Sequence, residues 1–396
     1  MKRSQRWTSG LALFAMLLVA IPAHAQLNMQ MGNGWSMAFS GNVNGFLTYE
    51  STDKNGTTGG LVGAGTKGFN IRTGLLPSFA VFSIKGRDGG RDLGATFGFA
   101  PEIQCGPGSS NYTNRANCQG AQIDMRQVYL TVGGVHGGTL LMGRDLGLFG
   151  RQNILNDMTL FGTGPTGGVN GGGTTLGRIG FGYNYPNFNA QMTWSSAAGK
   201  NTQFSIGLFD PSEVRDDFGA NVFSETQLPR VEAEWMMKGH STNFWLNGLV
   251  QSAKDPVASN TLTSVGGGGG IKWWNDKVTL VGSGFFGSGI GTTLNFANAT
   301  DGTKARTTFG GYGQAMIMMN NRTSLGLSYG LNQIKGTSAE GSPKLTNSAF
   351  VAGLYNKYGK MLRSTLEGTY SMTHDNDGAT KNNTGIGISA GLLLLF

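Results

Sequence analysis

The sequence holds only two cysteines, few charges and, past residue 25, no run of 18 apolar residues. Each shortage excludes something. Without a long apolar run no transmembrane helix is expected there, so any crossing of a bilayer must be made by strands closed into a barrel. Charged residues are 13% of the chain, about half the usual share, which argues against a heavily solvated surface. Histidine is scarce too. Beyond the N-terminal segment it occurs at His136, His240 and His374, in two turns and at a strand end, where no serine–histidine pairing suited to hydrolysis can be traced. The stretch "GAGTKG" lacks the spacing of a phosphate-binding loop and leads into no helical pattern. Neither enzymatic chemistry nor a cofactor is expected.

The two cysteines, Cys105 and Cys118, enclose "GPGSSNYTNRAN". Two thiols with no nearby histidine do not make a metal site. In an exported chain they are expected as a disulfide stapling a loop, with a closure contribution of roughly 3 kcal/mol. Export itself is read from the N-terminus: basic Lys2, Arg3 and Arg6, an apolar run from Leu11 to Ile21 too short to span a bilayer, and the cleavage pattern Ala23-His24-Ala25. Residues 1–25 are therefore expected to be a signal peptide. Their removal lowers the formal charge of +8 by three, a mild basic excess without any cluster that would suggest nucleic acid.

What the chain does have is glycine, 67 of 396 residues, spread among alternating apolar positions. The last segment, "TGIGISAGLLLLF", places Ile386, Ile388, Ala390, Leu392, Leu394 and Phe396 on one face of a strand and Gly385, Gly387, Ser389, Gly391, Leu393 and Leu395 on the other. In "WSMAFSGNVNGFLTYE", Met37, Phe39, Val43, Leu47 and Tyr49 likewise oppose Ser36, Ser40, Asn42, Asn44 and Thr48. This is the lipid-out, water-in alternation of a membrane barrel. Further segments are expected near 69–85, 92–103, 121–133 and 138–144. A long strand from Arg178 to Ser196 carries a bulge near Pro186, and ten more strands follow from 202–210 to 384–396. Short turns alternate with long loops. The expected fold is all-β: one antiparallel transmembrane barrel of about 16 strands over residues 26–396, its last strand paired with its first.

The segment "MRQVYLTVGGVHGGTLLMGRD" resembles the fourth and fifth strands of Gram-negative outer-membrane porins, and "RIGFGYNYPNFNAQMTW" the strand after their third loop. Phe396 matches that family's signal to the barrel-assembly machinery. The resemblance implies a water-filled pore for small hydrophilic solutes, a homotrimer set in outer-membrane lipid and lipopolysaccharide, and a third loop folded into the barrel. By position that loop is 146–176. Its first half is rich in Leu146, Leu148, Phe149, Ile154, Leu155, Met158, Leu160 and Phe161, too apolar for an outside loop. It lacks the Pro-Glu-Phe-Gly-Gly run of enterobacterial porins and has Asp157 as its only acid.

The expected constriction comprises Arg72, Arg126 and Arg178 at lumen parity, Arg144 at the mouth of the loop, Arg151 within it, and Asp145 and Asp157 opposite. Guanidinium groups around a narrow pore favour anions; as structure, each would instead be tied to loop backbone or a carboxylate. On the same strand, Val128, Leu130 and Val132 share the parity of Arg126 and are expected inside, with Tyr129 outside. Arg230, Glu232, Glu234, Lys272, Arg363 and Glu367 also fall on the polar face, as do Met236, Trp245 and Trp274. Two other functions compete with a diffusion channel of anion preference: a substrate-specific channel for organic acids, and a structural or adhesive surface barrel with its lumen plugged by the Gly-rich stretch 164–175.

Overall fold

The computed structural model describes residues 27–53, 60–62, 65–103, 123–165, 174–199, 201–216, 219–293, 295–341, 344–375 and 382–396. It begins with the short β1 (Leu27–Gln30), then β2 (Ser36–Thr52), β3 (Lys67–Arg72), β4 (Phe79–Asp88), β5 (Arg91–Pro101), β6 (Ile123–Val135) and β7 (Gly138–Leu146). One short helix, α1 (Arg151–Asn156), precedes β8 (Phe188–Ser196), β9 (Thr202–Phe209), the small hairpin of β10 (Val214–Arg215) and β11 (Asn221–Phe223), and β12 (Arg230–Lys238). The longer strands follow: β13 (Thr242–Lys254), β14 (Thr261–Trp274), β15 (Val278–Ser288), β16 (Thr307–Met318), β17 (Thr323–Lys335), β18 (Lys344–Tyr358), β19 (Leu362–Asp375) and β20 (Asn383–Leu395).

Neighbouring staves pair antiparallel, and β20 returns to β2 with Leu395 opposite Asn42 and Gly385 opposite Thr52. The sheet therefore closes as a barrel of 16 strands, in which β3 and β4 are two halves of one stave. Closure is what lets a sheet sit in lipid, since every backbone N–H and C=O of a central strand then has a partner across the ladder. At the seam, Phe396 exchanges backbone bonds with Gly41, and its ring lies 5.4 Å from that of Phe39. Below that point β1 takes over, with Leu27 opposite Phe39 and Gln30 opposite Ser36, and continues the line of β20 along β2.

Faces alternate as the sequence expects. On β2, Asn42, Asn44 and Thr48 are buried while Val43 and Leu47 are 55% and 51% exposed. On β20, Ile386, Ile388, Leu392 and Leu394 are exposed and Ser389, Leu393 and Leu395 buried. An apolar belt of this extent is stable only against hydrocarbon. The short connections turn tightly: Asp88 and Arg91 face each other across Gly89 and Gly90, both at positive φ, the conformation of a two-residue hairpin that most side chains resist. Long connections all lie at the opposite end, and β1 and Phe396 lie at the short-turn end.

Four local departures have physical causes. The stave expected over 69–85 breaks at residues 73–78, where the lumen side chains of Asn42 and Asn44 capture the detour: Asn44 donates to the Leu76 carbonyl at 2.9 Å and accepts from the Gly74 amide at 2.8 Å, while Asn42 donates to the Pro77 carbonyl at 3.0 Å. Pro77 could not have continued the ladder as a donor. On β6 the pairing skips Arg126, with Gly98 opposite Gln127 and Phe99 opposite Met125. This bulge reverses the parity beyond it, so Gln127 and Tyr129 are buried and Val128 and Leu130 exposed, the opposite of the sequence expectation. The strand expected from Arg178 starts only at Phe188; Ile179, Phe181 and Tyr183 are buried inside the barrel. Finally, residues 289–293 and 295–306 also turn inward, burying Ile290, Phe296 and Ala299.

Candidate functional site

After β7 the chain leaves the wall and crosses the lumen. Its entry is fixed by Glu232 on β12, whose carboxylate accepts from the amides of Leu148 and Phe149 at 2.7 and 2.9 Å. Arg230 donates to the same carboxylate at 2.8 Å and lies between the rings of Phe209 and Phe296. Two residues along β12, Glu234 holds Arg151 at 2.6 Å and receives Gln152. Both side chains of that ion pair are nearly inaccessible, so each charge depends on the other.

From there α1 and a single 3-10 turn, Met158–Phe161, pass along the opposite wall. Trp245 donates to the Asn153 side chain at 3.0 Å and Tyr312 to its carbonyl at 2.7 Å. Gln314 reads both directions of the backbone, accepting from the Met158 amide and donating to the Asn156 carbonyl. At the far end Glu367 on β19 accepts from the amides of Thr163 and Gly164, each at 2.8 Å, and from the Tyr355 hydroxyl. Met236 and Trp245 have the lumen parity read from the sequence, and they pack against the loop in the same buried cluster as Leu146, Ile154, Leu160 and Tyr183.

The charged residues expected at the constriction divide by what holds them. Arg151 is bound to Glu234. Arg178, fully buried, donates to Ser328 and to the Ala349 carbonyl. Arg72 donates to the Thr174 carbonyl at 2.9 Å. Asp157 caps its own turn through Thr159 and accepts from the Tyr183 hydroxyl at 2.7 Å. Asp145, buried, accepts from Gln127 at 2.8 Å. Arg126 pairs with Asp124 and lies over the Phe188 ring. Arg144 is exposed, sharing the outward parity of Met142 and facing Val128 and Ala190. Phe396 lies at the seam. Cys105 and Cys118 lie outside the described residues, as do residues 1–25 and the 166–173 part of the Gly-rich stretch.

A second inward segment leans on the first. Asn184 donates to the carbonyls of Ile290 and Gly291, Asn332 to that of Thr292, and the Tyr185 amide to that of Thr293. At the outer rim this segment is latched to the next loop by Arg306, which pairs with Glu340 and donates to Asn298, and by Thr337, which donates to Asp301. The hydrogen bond from Arg306 holds the Glu340 carboxyl below its usual range, against the opposing effect of burial. Burial works against charge on Asp301, but hydrogen bonds from Thr337, Lys304 and Thr303 together outweigh it and hold that carboxyl low.

Beneath the loop, toward the short turns, lies a cavity of about 330 Å³. Its roof is Leu155–Phe161 apart from Thr159, and its walls carry Lys272, Lys277, Lys357 and Arg363. None of these four cations makes an ion pair among the described residues. Of the acids on the lining, Asp157 is engaged as above and Asp276 stands on an exposed turn. Parity marks Lys272 and Arg363 as lumen-facing in the sequence. Lys277 and Lys357 were invisible there, because one sits in a turn and the other at the end of a strand.

No protein-family model matches the sequence, and no curated protein does. Solved structures match over nearly the whole chain. The outer-membrane channel DcaP of Acinetobacter baumannii superposes with a TM-score of 0.68 at 14% identity, over 93% of this chain and 99% of that one. An anion-selective porin from Comamonas acidovorans gives 0.62 at 12% identity, over 91% and 100%. The fold is that of the Gram-negative outer-membrane porins. Salmonella typhi OmpF, solved with daunomycin, shares it as well, with a TM-score of 0.58 at 13% identity over 92% and 100%. Identities this low speak for the porin fold alone.

Proposed function

We propose that this chain is an outer-membrane channel for small hydrophilic solutes with a preference for anions, and that it has no catalytic role. The observation that supports the preference is an asymmetry of pairing. Glu232, Glu234, Glu367, Asp145 and Asp157 all face inward and are all bonded to protein donors, whereas Lys272, Lys357 and Arg363 line open space without a carboxylate partner among the described residues. Unpaired cations along a narrow, low-dielectric passage raise the local anion concentration. The depth of infolding by residues 147–165, 174–187, 289–293 and 295–306 favours a small, selective passage over a wide one. Export with a cleaved leader, a Cys105–Cys118 disulfide, recognition of Phe396 by the assembly machinery, trimer formation and contact with lipopolysaccharide belong to the same reading.

The test is the reversal potential of the folded mature protein in a planar bilayer under a potassium chloride gradient. Chloride selectivity in the wild type, with a reversal potential that changes sign in the K272E/K357E/R363E variant, is the expected result. A wild-type potential favouring potassium would overturn the anion preference, and a folded barrel with no current would overturn the channel.

A further inference from the structure

On adjacent strands β18 and β19, Lys357 and Arg363 are directly opposite one another. Like charges in that relation repel and are ordinarily selected against. Neither has an acidic partner among the described residues, and the Nε of Arg363 is shielded from solvent without a hydrogen-bond acceptor. Its guanidinium lies over the Phe161 ring instead, with its carbon 4.5 Å from the ring centre at the edge of the infolded loop. A rigid fork next to a second cation, with an unused donor, is the arrangement that receives a carboxylate or another oxyanion.

The rest of the cavity has a different character. Leu155, Met158 and Leu160 of the roof and Met316 and Val281 of the wall line the same space. Its volume of about 330 Å³ is at the small end of ligand sites, which run from about 300 to 1,000 Å³ and are commonly apolar with a few convergent polar groups. An inorganic anion would use the cations and leave this apolar surface wet.

We infer that the cavity under the loop is a binding site for an amphipathic organic anion, one carboxylate or similar head carrying a short alkyl or ring body. The head sits between Lys357 and Arg363 with Lys272 across the space, and the body lies against Leu155, Leu160 and Met316. The inference rests on the channel reading, for which the site is a resting place on the short-turn side of the constriction. Its Met and Leu side chains tolerate variation in body shape, while the fork fixes the head.

Two measurements separate this site from the channel itself. Calorimetric titration of the folded barrel in detergent with hexanoate and with acetate compares one head group with and without an apolar body. Hexanoate is expected to bind saturably and at least tenfold more tightly than acetate, and R363Q to weaken hexanoate at least tenfold while leaving the heat-modifiable barrel band intact. Equal affinities for the two acids, or full affinity in R363Q, overturns the site. Should R363Q fail to fold, the K272Q/K357Q double variant carries the same comparison. In the bilayer, hexanoate is expected to block chloride current saturably. Current without block removes the site and leaves the channel standing; binding in detergent by a barrel that passes no current removes the channel and leaves the site.

Discussion

Two sets of lumen-facing charges share this barrel and behave in opposite ways. Glu232, Glu234 and Glu367 are buried under the loop and each collects several donors from it. Lys272, Lys357 and Arg363, on the short-turn side of the same loop, line a cavity without a carboxylate partner among the described residues. The acids hold the obstacle in place and the cations meet what passes it. A charge on the inner wall therefore says little about selectivity until its partner is known.

The comparison breaks most sharply at Glu234. E234A leaves Arg151 buried and uncompensated, a cost of about 3–5 kcal/mol, and frees the start of α1. A lower transition temperature of the folded band on gels, together with a larger and noisier unit conductance, is expected; an unchanged conductance would mean that the carboxylates do not restrain the loop. Reversing the cations is the complementary test. K272E/K357E/R363E is expected to alter selectivity at a stability cost well below that of E234A, the lost Arg363–Phe161 contact being worth about 0.5–2 kcal/mol, and a loss as large as that of E234A would place those cations with the structural set.

The smallest effect belongs to the outer-rim latch. Glu340 and Asp301 bind a proton less readily in the folded protein than in an unfolded chain. Their contribution is therefore complete above the unfolded carboxyl range near about pH 4 and is lost as the pH falls through their lower folded values. Pepsin cleavage between residues 289 and 341 is expected to rise between pH 4 and pH 2 in the wild type. In E340Q it should already be raised at pH 4. A wild-type pattern flat across that range would dissociate the latch from these carboxyls.

The barrel was legible in the sequence because lipid imposes a strict period of two on its staves, and because short turns and long loops alternate. The same rule misled at residues 178–187. Ile179, Phe181, Tyr183 and Tyr185 alternate as a lipid-facing strand would, yet the first three are buried within the lumen, Ile179 and Tyr183 against the loop and Phe181 against Val62 and Ala349. An apolar alternation records that one side avoids water, and a packed lumen satisfies it as well as lipid does. The reversal after Arg126 was hidden for a related reason: a bulge adds one residue and leaves no mark in composition. The sequence also placed Arg151 in the infolded loop and Glu234 on the polar face without linking them, since a contact between residues 83 apart depends on how far the loop reaches.

Phe396 and β1 lie on the same line beside β2, Phe396 against Gly41 and Leu27 against Phe39. The edge of β2 is thus sealed by two segments far apart in sequence, and neither covers it alone. A peptide tag inserted after Phe396 would run into the slot already held by Leu27–Gln30, and must push β1 aside or turn away from the wall.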